Sequence, residues 1–167
     1  CSYWTIEGLR VESRDFNGSA GGETVLINQS SYVTVRRLLV AHTNRYKNTH
    51  LIFIGNTTNS LVEENELYYF HRHGISLYIS NNNTIRRNYI NSRGYGEIAG
   101  GWPTGYGPNR GGAAINIYPG SDNITENNIS EENSYGLNIE AYGPSHNNKF
   151  FGDISINNSS GAIFKAR

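Results

Sequence analysis

Apolar and polar positions alternate along this chain in short bursts, each closed by Gly, Asn or Ser. Nowhere does the i, i+3, i+4, i+7 stripe of an amphipathic helix run for a useful length. One burst recurs: an apolar residue, two polar ones, often Asn, any residue, then an aliphatic. Its first apolar position falls at Ile6, Val35, Val62, Ile85 and Ile124, at intervals of 29, 27, 23 and 39 residues, and a degenerate copy starts at Phe151. A second burst precedes each copy, around Ile27, Ile54, Ile79, Ile117 and Ile139, and recurs at Ile163. Both have the period-two character of strands.

A unit of this size cannot close a core alone, so units must stack and share one. The pattern predicts an all-β fold: a single-stranded right-handed parallel β-helix (solenoid) of about six coils, three short strands per coil, with a long loop at about 94–112. Residues 1–167 form one β-helix domain, either whole or part of a longer chain or assembly. In register, Asn65, Asn88 and Asn127 form one column, with Leu9 and Leu38 in that place in the first two coils. The polar positions form two further columns. One reads Glu7, Arg36, Glu63, Arg86, Thr125; the other reads Gly8, Arg37, Glu64, Arg87, Glu126 and then Asp153. Coils stack about 4.8 Å apart, so alternating signs pair and a one-coil slip sets like charges together. Beside the long loop, Tyr78, Asn116, Glu140 and Tyr142 are expected to point outward, and Ile79, Ile117 and Ile139 inward.

The stretches Tyr3-Trp-Thr-Ile-Glu-Gly-Leu-Arg-Val11 and Asn83-Thr-Ile-Arg-Arg-Asn-Tyr-Ile90 resemble the repeats of the pectin-lyase-like β-helix superfamily, and the resemblance covers nearly the whole chain. It implies an Asn ladder for the Asn column, in which each amide bonds its neighbours one coil up and down. It also implies a saccharide groove over the outer face of the strand at 113–117, walled by the long loop. It implies no single activity, because the superfamily includes lyases, hydrolases, epimerases, adhesins and phage fibres. The clustered Asp of its lyases and the Asp pairs of its hydrolases are missing here. Asp15, Asp122 and Asp153 are far apart in the coil register.

Composition narrows the function classes. The net charge is zero and only 17% of residues are charged, so there is no electrostatic case for nucleic acid. No apolar run approaches the roughly 20 residues of a membrane span. Tyr is abundant, with 12 copies, which suits an extracellular or cell-surface β protein. The single cysteine, Cys1, excludes an intrachain disulfide. It reads as a processing edge, an intermolecular bridge or a lipidated first residue. Sequons place glycosylation candidates at Asn17, Asn28, Asn56, Asn82, Asn123, Asn128, Asn157 and Asn158.

The candidate chemistry gathers at the long loop. Tyr95, Trp102, Tyr106 and Arg110, with Tyr78, Asn116 and Tyr142, form a carbohydrate-binding set: aromatic faces stack on sugar rings and Arg pairs with carboxylates. His71, Arg72 and His73 sit at the same turn one coil earlier, and His71 with His73 is a weak metal pair. Glu97 and Glu140 are weak acid–base candidates. No cofactor is expected. The chain starts and stops inside strand phrases, and open ends template further pairing. The leading expectation is therefore an extracellular structural β-helix that self-associates end to end into a fibre or layer, with itself as partner. The alternatives are a fragment of a carbohydrate-active β-helix enzyme, or a glycan-binding adhesin module with a polysaccharide partner.

Overall fold

The computed structural model describes residues 2–13, 22–43, 48–93, 110–140, 143 and 145–165, the side chains of 140 and 163–165 aside. The first coil holds β1 (Thr5–Glu7), β2 (Arg10–Glu12) and β3 (Val25–Asn28). The second holds β4 (Thr34–Arg36), β5 (Leu39–Ala41) and β6 (His50–Gly55). The third holds β7 (Leu61–Glu63), β8 (Glu66–Tyr68) and β9 (His73–Tyr78). The fourth holds β10 (Thr84–Arg86), β11 (Tyr89–Asn91) and β12 (Ala113–Ile117). The fifth holds β13 (Ile124–Glu126), β14 (Ile129–Glu131) and β15 (Tyr135–Glu140). The sixth holds β16 (Lys149–Phe151), β17 (Ile154–Ile156) and β18 (Ser160–Lys165). Each strand pairs in parallel with its counterparts one coil away, making three six-stranded sheets around one core. The expected solenoid is the observed one; the segment expected as a long loop lies between β11 and β12, and its residues 94–109 are outside the described residues.

The core is a set of columns. Ile6, Val35, Val62 and Ile85 stack from the first sheet. Val11, Val40, Leu67 and Ile90 stack from the second. Ile27, Ile54, Leu77, Ile117 and Ile139 stack from the third. Burying each such aliphatic contributes about 1.5–3 kcal/mol.

The corners are polar. Between the first and second sheets, the Leu38 N–H donates to Asn65 Oδ1 at 3.0 Å. The backbone N–H and Nδ2 of Asn65 both donate to Asn88 Oδ1 (3.1 and 2.9 Å). Asn88 donates likewise to Asn128 (3.0 and 2.9 Å), and Asn128 to Asp153 Oδ1 (2.9 and 2.8 Å). The second Nδ2 proton returns to a carbonyl: Val35 for Asn65, Val62 for Asn88 and Ile85 for Asn128. Every amide of this column is thereby paired, which a buried polar column requires. The residue before each rung turns the chain through positive φ: Arg37 (55°), Glu64 (57°), Arg87 (52°) and Asn127 (56°), with Gly8 and Gly152 at the ends of the column. A left-handed non-glycine residue is strained by about 1 kcal/mol or more, and the ladder holds four of them.

The ladder starts at Asn65, as expected, but its fifth-coil rung is Asn128, not Asn127. Ile85 pairs with Thr125 and not with Ile124, so the fifth copy sits one residue later than the apolar pattern predicts, and the sixth starts at Phe150, one residue earlier than Phe151. Thr125 faces inward fully buried, next in its column is Phe150, and Asp153 becomes a ladder rung. Two further ladders went unread. One runs Ser60–Asn83–Asn123–Asn148 between the third and first sheets. The other runs Ser92–Asn133–Asn158 between the second and third. Ile79 is a further correction. It is 46% exposed with φ 50°, and Leu77 takes its expected place in the core.

Candidate functional site

The outer faces of the first and third sheets differ. On the first, Glu7, Arg36, Glu63, Arg86 and Glu126 form one column of alternating sign, with Glu126 where Thr125 was expected. Its contacts are Arg36 to Glu7 at 2.9 Å and to Glu63 at 4.0 Å, then Arg86 to Glu63 at 2.8 Å and to Glu126 at 3.6 Å. Arg37, Glu64 and Arg87 run alongside at 3.0 and 3.3 Å. Arg87 crosses over to Glu63 at 2.9 Å, and Arg37 to Glu7 at 2.8 Å. Burial pushes the Glu63 carboxyl up, but hydrogen bonds from Arg86 and Arg87 outweigh it and hold the group below the ordinary range. Hydrogen bonding from Arg36 likewise lowers Glu7. This face neutralises itself.

The third sheet's outer face carries a groove of about 240 Å³ lined by Glu23, Asn48, His50, Phe53, Arg72, Ser76, Tyr78, Asn116 and Tyr118. The strands of this sheet run to six residues, so there is room for ligand-facing side chains along each. Phe53, Tyr78 and Tyr118 form an aromatic row with centroid spacings of 6.2 and 5.6 Å. Parallel to it runs a polar column in strand register: Ser76, Asn116 and Asn138. Asn138 Nδ2 donates to Asn116 Oδ1 at 2.8 Å, and Asn116 Nδ2 to Ser76 Oγ at 3.4 Å. Asn138 is fully buried, and its Oδ1 has no partner among the described residues. At one end His50 stacks on His73 at 5.2 Å, and His50 Nδ1 lies 3.1 Å from Glu23 Oε2.

Of the carbohydrate-binding set, Tyr78 and Asn116 are brought together here. Tyr78 is exposed, whereas Asn116 faces outward but is 3% exposed. Arg110 goes elsewhere: its Nη1 donates to the carbonyls of Asn133 (3.2 Å) and Asn157 at a corner between coils. Tyr95, Trp102, Tyr106, Tyr142, Glu97, Asn17 and Cys1 lie outside the described residues, as does the side chain of Glu140. His71 and His73 are both buried. His73 Nδ1 accepts the Ala113 N–H at 3.1 Å and its Nε2 lies 3.3 Å from Arg72 Nε, so its nitrogens are already engaged. Among the described residues no group of three His, Cys, Asp or Glu side chains could hold a metal.

The sequons divide in the same way. Asn28, Asn56, Asn82 and Asn157 are exposed. Asn123 and Asn128 are buried ladder rungs, and the Asn158 amide is spent on Ser130, Ser155 and the Asn133 N–H. A glycan on these three would break a ladder.

Glu23, His50, Phe53 and Tyr118 escaped the sequence reading. Pairing in register sets Phe53 beside Ser76 and Gly55 beside Tyr78, so strand register carried a signal for Phe53. Nothing local marks Glu23, whose contact with His50 spans 27 residues.

The family described as "Right handed beta helix region" matches residues 23–166. No curated protein matches the chain. Among solved structures, the chain is similar to the Azotobacter vinelandii mannuronan C-5 epimerase AlgE4 A-module, with a TM-score of 0.41 and 8% identity over 99% of this chain and 56% of that one. The chain thus spans about half of that relative's length.

Proposed function

We propose that this chain, which belongs to the right-handed β-helix family, binds a saccharide along the outer face of its third sheet. The observation that supports this is the aromatic row Phe53–Tyr78–Tyr118 beside Ser76 and Asn116, all lining an open groove. Aromatic faces cover the apolar faces of pyranose rings, and amides and hydroxyls pair with ring hydroxyls. Arg72 adds a cation suited to a carboxylated sugar. The protein works outside the cell or at its surface, where such glycans are met. The test is calorimetric titration against a panel of neutral and acidic oligosaccharides. Binding that Tyr78→Ala weakens is expected; absence of binding across the panel overturns the reading.

A further inference from the structure

We infer that His50 is the group with which this groove reads its ligand: pinned to Glu23 through Nδ1–H, it presents Nε2 as an acceptor to a saccharide hydroxyl. A carboxylate only accepts hydrogen bonds, so Glu23 Oε2, 3.1 Å from Nδ1, places the ring proton on that nitrogen. The same Glu23 oxygen also accepts the His50 backbone N–H, which fixes the carboxylate in place. The neutral imidazole then carries its lone pair on Nε2. The ring cannot swing away, because His73 stacks at 5.2 Å and Phe53 at 5.4 Å, and only 6% of His50 is exposed. Yet the residue lines the groove, and Nε2 has no hydrogen-bond partner among the described residues.

His73 is the internal control. It stands in the same column, but its Nδ1 lone pair is spent on the Ala113 N–H, which leaves the ring proton on Nε2. The two stacked histidines therefore differ in one respect: only His50 keeps an acceptor for the groove. The orphaned Oδ1 of Asn138 lies on the same face. Both atoms are acceptors, so the matching ligand offers hydroxyl donors, as a polyol-bearing sugar does. An acceptor that is nearly buried and unpaired is disfavoured until such a donor arrives.

This inference rests on the saccharide reading, and the experiment separates the two. In ¹⁵N-labelled protein without ligand, long-range ¹H–¹⁵N correlation is expected to show His50 protonated on Nδ1 alone at neutral pH, with the tautomer lost in Glu23→Ala. Titration with the oligosaccharide that binds in the panel should then shift the Nε2 resonance. His50→Phe keeps the stack and lacks the acceptor, and is expected to bind roughly tenfold more weakly. His50→Gln, which can present an oxygen near the Nε2 position, should restore binding. Thermal midpoints matching the parent confirm that the variants fold. An Nε2–H tautomer in the free protein, or His50→Phe binding as tightly as the parent, overturns this inference and leaves the saccharide reading standing. Failure of every glycan to bind overturns both.

Discussion

The outer faces of the first and third sheets stand on the same scaffold and do opposite things with their polar groups. Both comprise six parallel strands, and both carry columns of like position down the coils. On the first sheet every strand is three residues long, and the column side chains meet their complements one coil away. Glu63 alone takes hydrogen bonds from Arg86 and Arg87. On the third sheet the strands lengthen, the columns turn aromatic and amide, and an acceptor is left over at Asn138. A face whose charges pair across coils specifies register, because a slipped coil would set like charges together. A face with unpaired acceptors has hydrogen-bonding capacity left for an outside donor.

This contrast can be broken at several points, and the largest effect is expected at the corner ladder that supports both faces. Asn88→Ala removes the acceptor of two Asn65 donors and leaves Asn128 Oδ1 and the Val62 carbonyl short of a donor. It should lose about 3 kcal/mol or more in urea unfolding. A loss under about 1 kcal/mol would show that the ladder is ornamental. Next is Glu63→Ala, which leaves Arg86 and Arg87 without their shared carboxylate. About 2 kcal/mol of stability should go while saccharide binding stays unchanged; altered binding would couple two faces described here as independent.

Tyr78→Ala is the mirror experiment. The groove should lose roughly tenfold in affinity, with stability changed by less than about 1 kcal/mol because the ring is partly exposed. The smallest effect is on pH dependence. Glu63 and Glu7 have folded-state pKa values below the ordinary glutamate value of 4.5. The stability they contribute is therefore full above about pH 4.5 and is lost as pH falls through their lower folded values. Urea midpoints measured from pH 6 to pH 3 should drop across that window, and Glu63→Ala should flatten part of the drop. A midpoint that does not move would mean these carboxylates are no better held folded than unfolded.

Much of this was legible from residue order. The alternating charges of Glu7, Arg36, Glu63 and Arg86 could be read because strands of fixed length repeat them at one place per coil, and the ladder's start at Asn65 followed from the same register. The reading slipped at Ile124. There Thr125 replaces an aliphatic in the core and two Asn stand side by side, so the apolar pattern chose the wrong phase and named Asn127 for Asn128. Ile79 misled for a related reason: an aliphatic beside a strand reads as core, whereas a left-handed turn puts it in solvent. In the groove, Tyr78 and Asn116 were found because outward positions alternate along a strand. Arg110 was misplaced because nothing in its neighbourhood reveals that two carbonyls from later coils will claim its guanidinium.

By itself, then, the amino-acid sequence determined that this protein is a stack of coils. A core built from one aliphatic per strand per coil imposes a periodicity that survives in the linear order of residues. Only the tertiary structure decided which polar groups are spent and which remain. That depends on contacts between residues 22 to 43 positions apart, such as Glu23 with His50 and Asn116 with Asn138. A hydrogen bond made across coils leaves no mark on the neighbours of either partner.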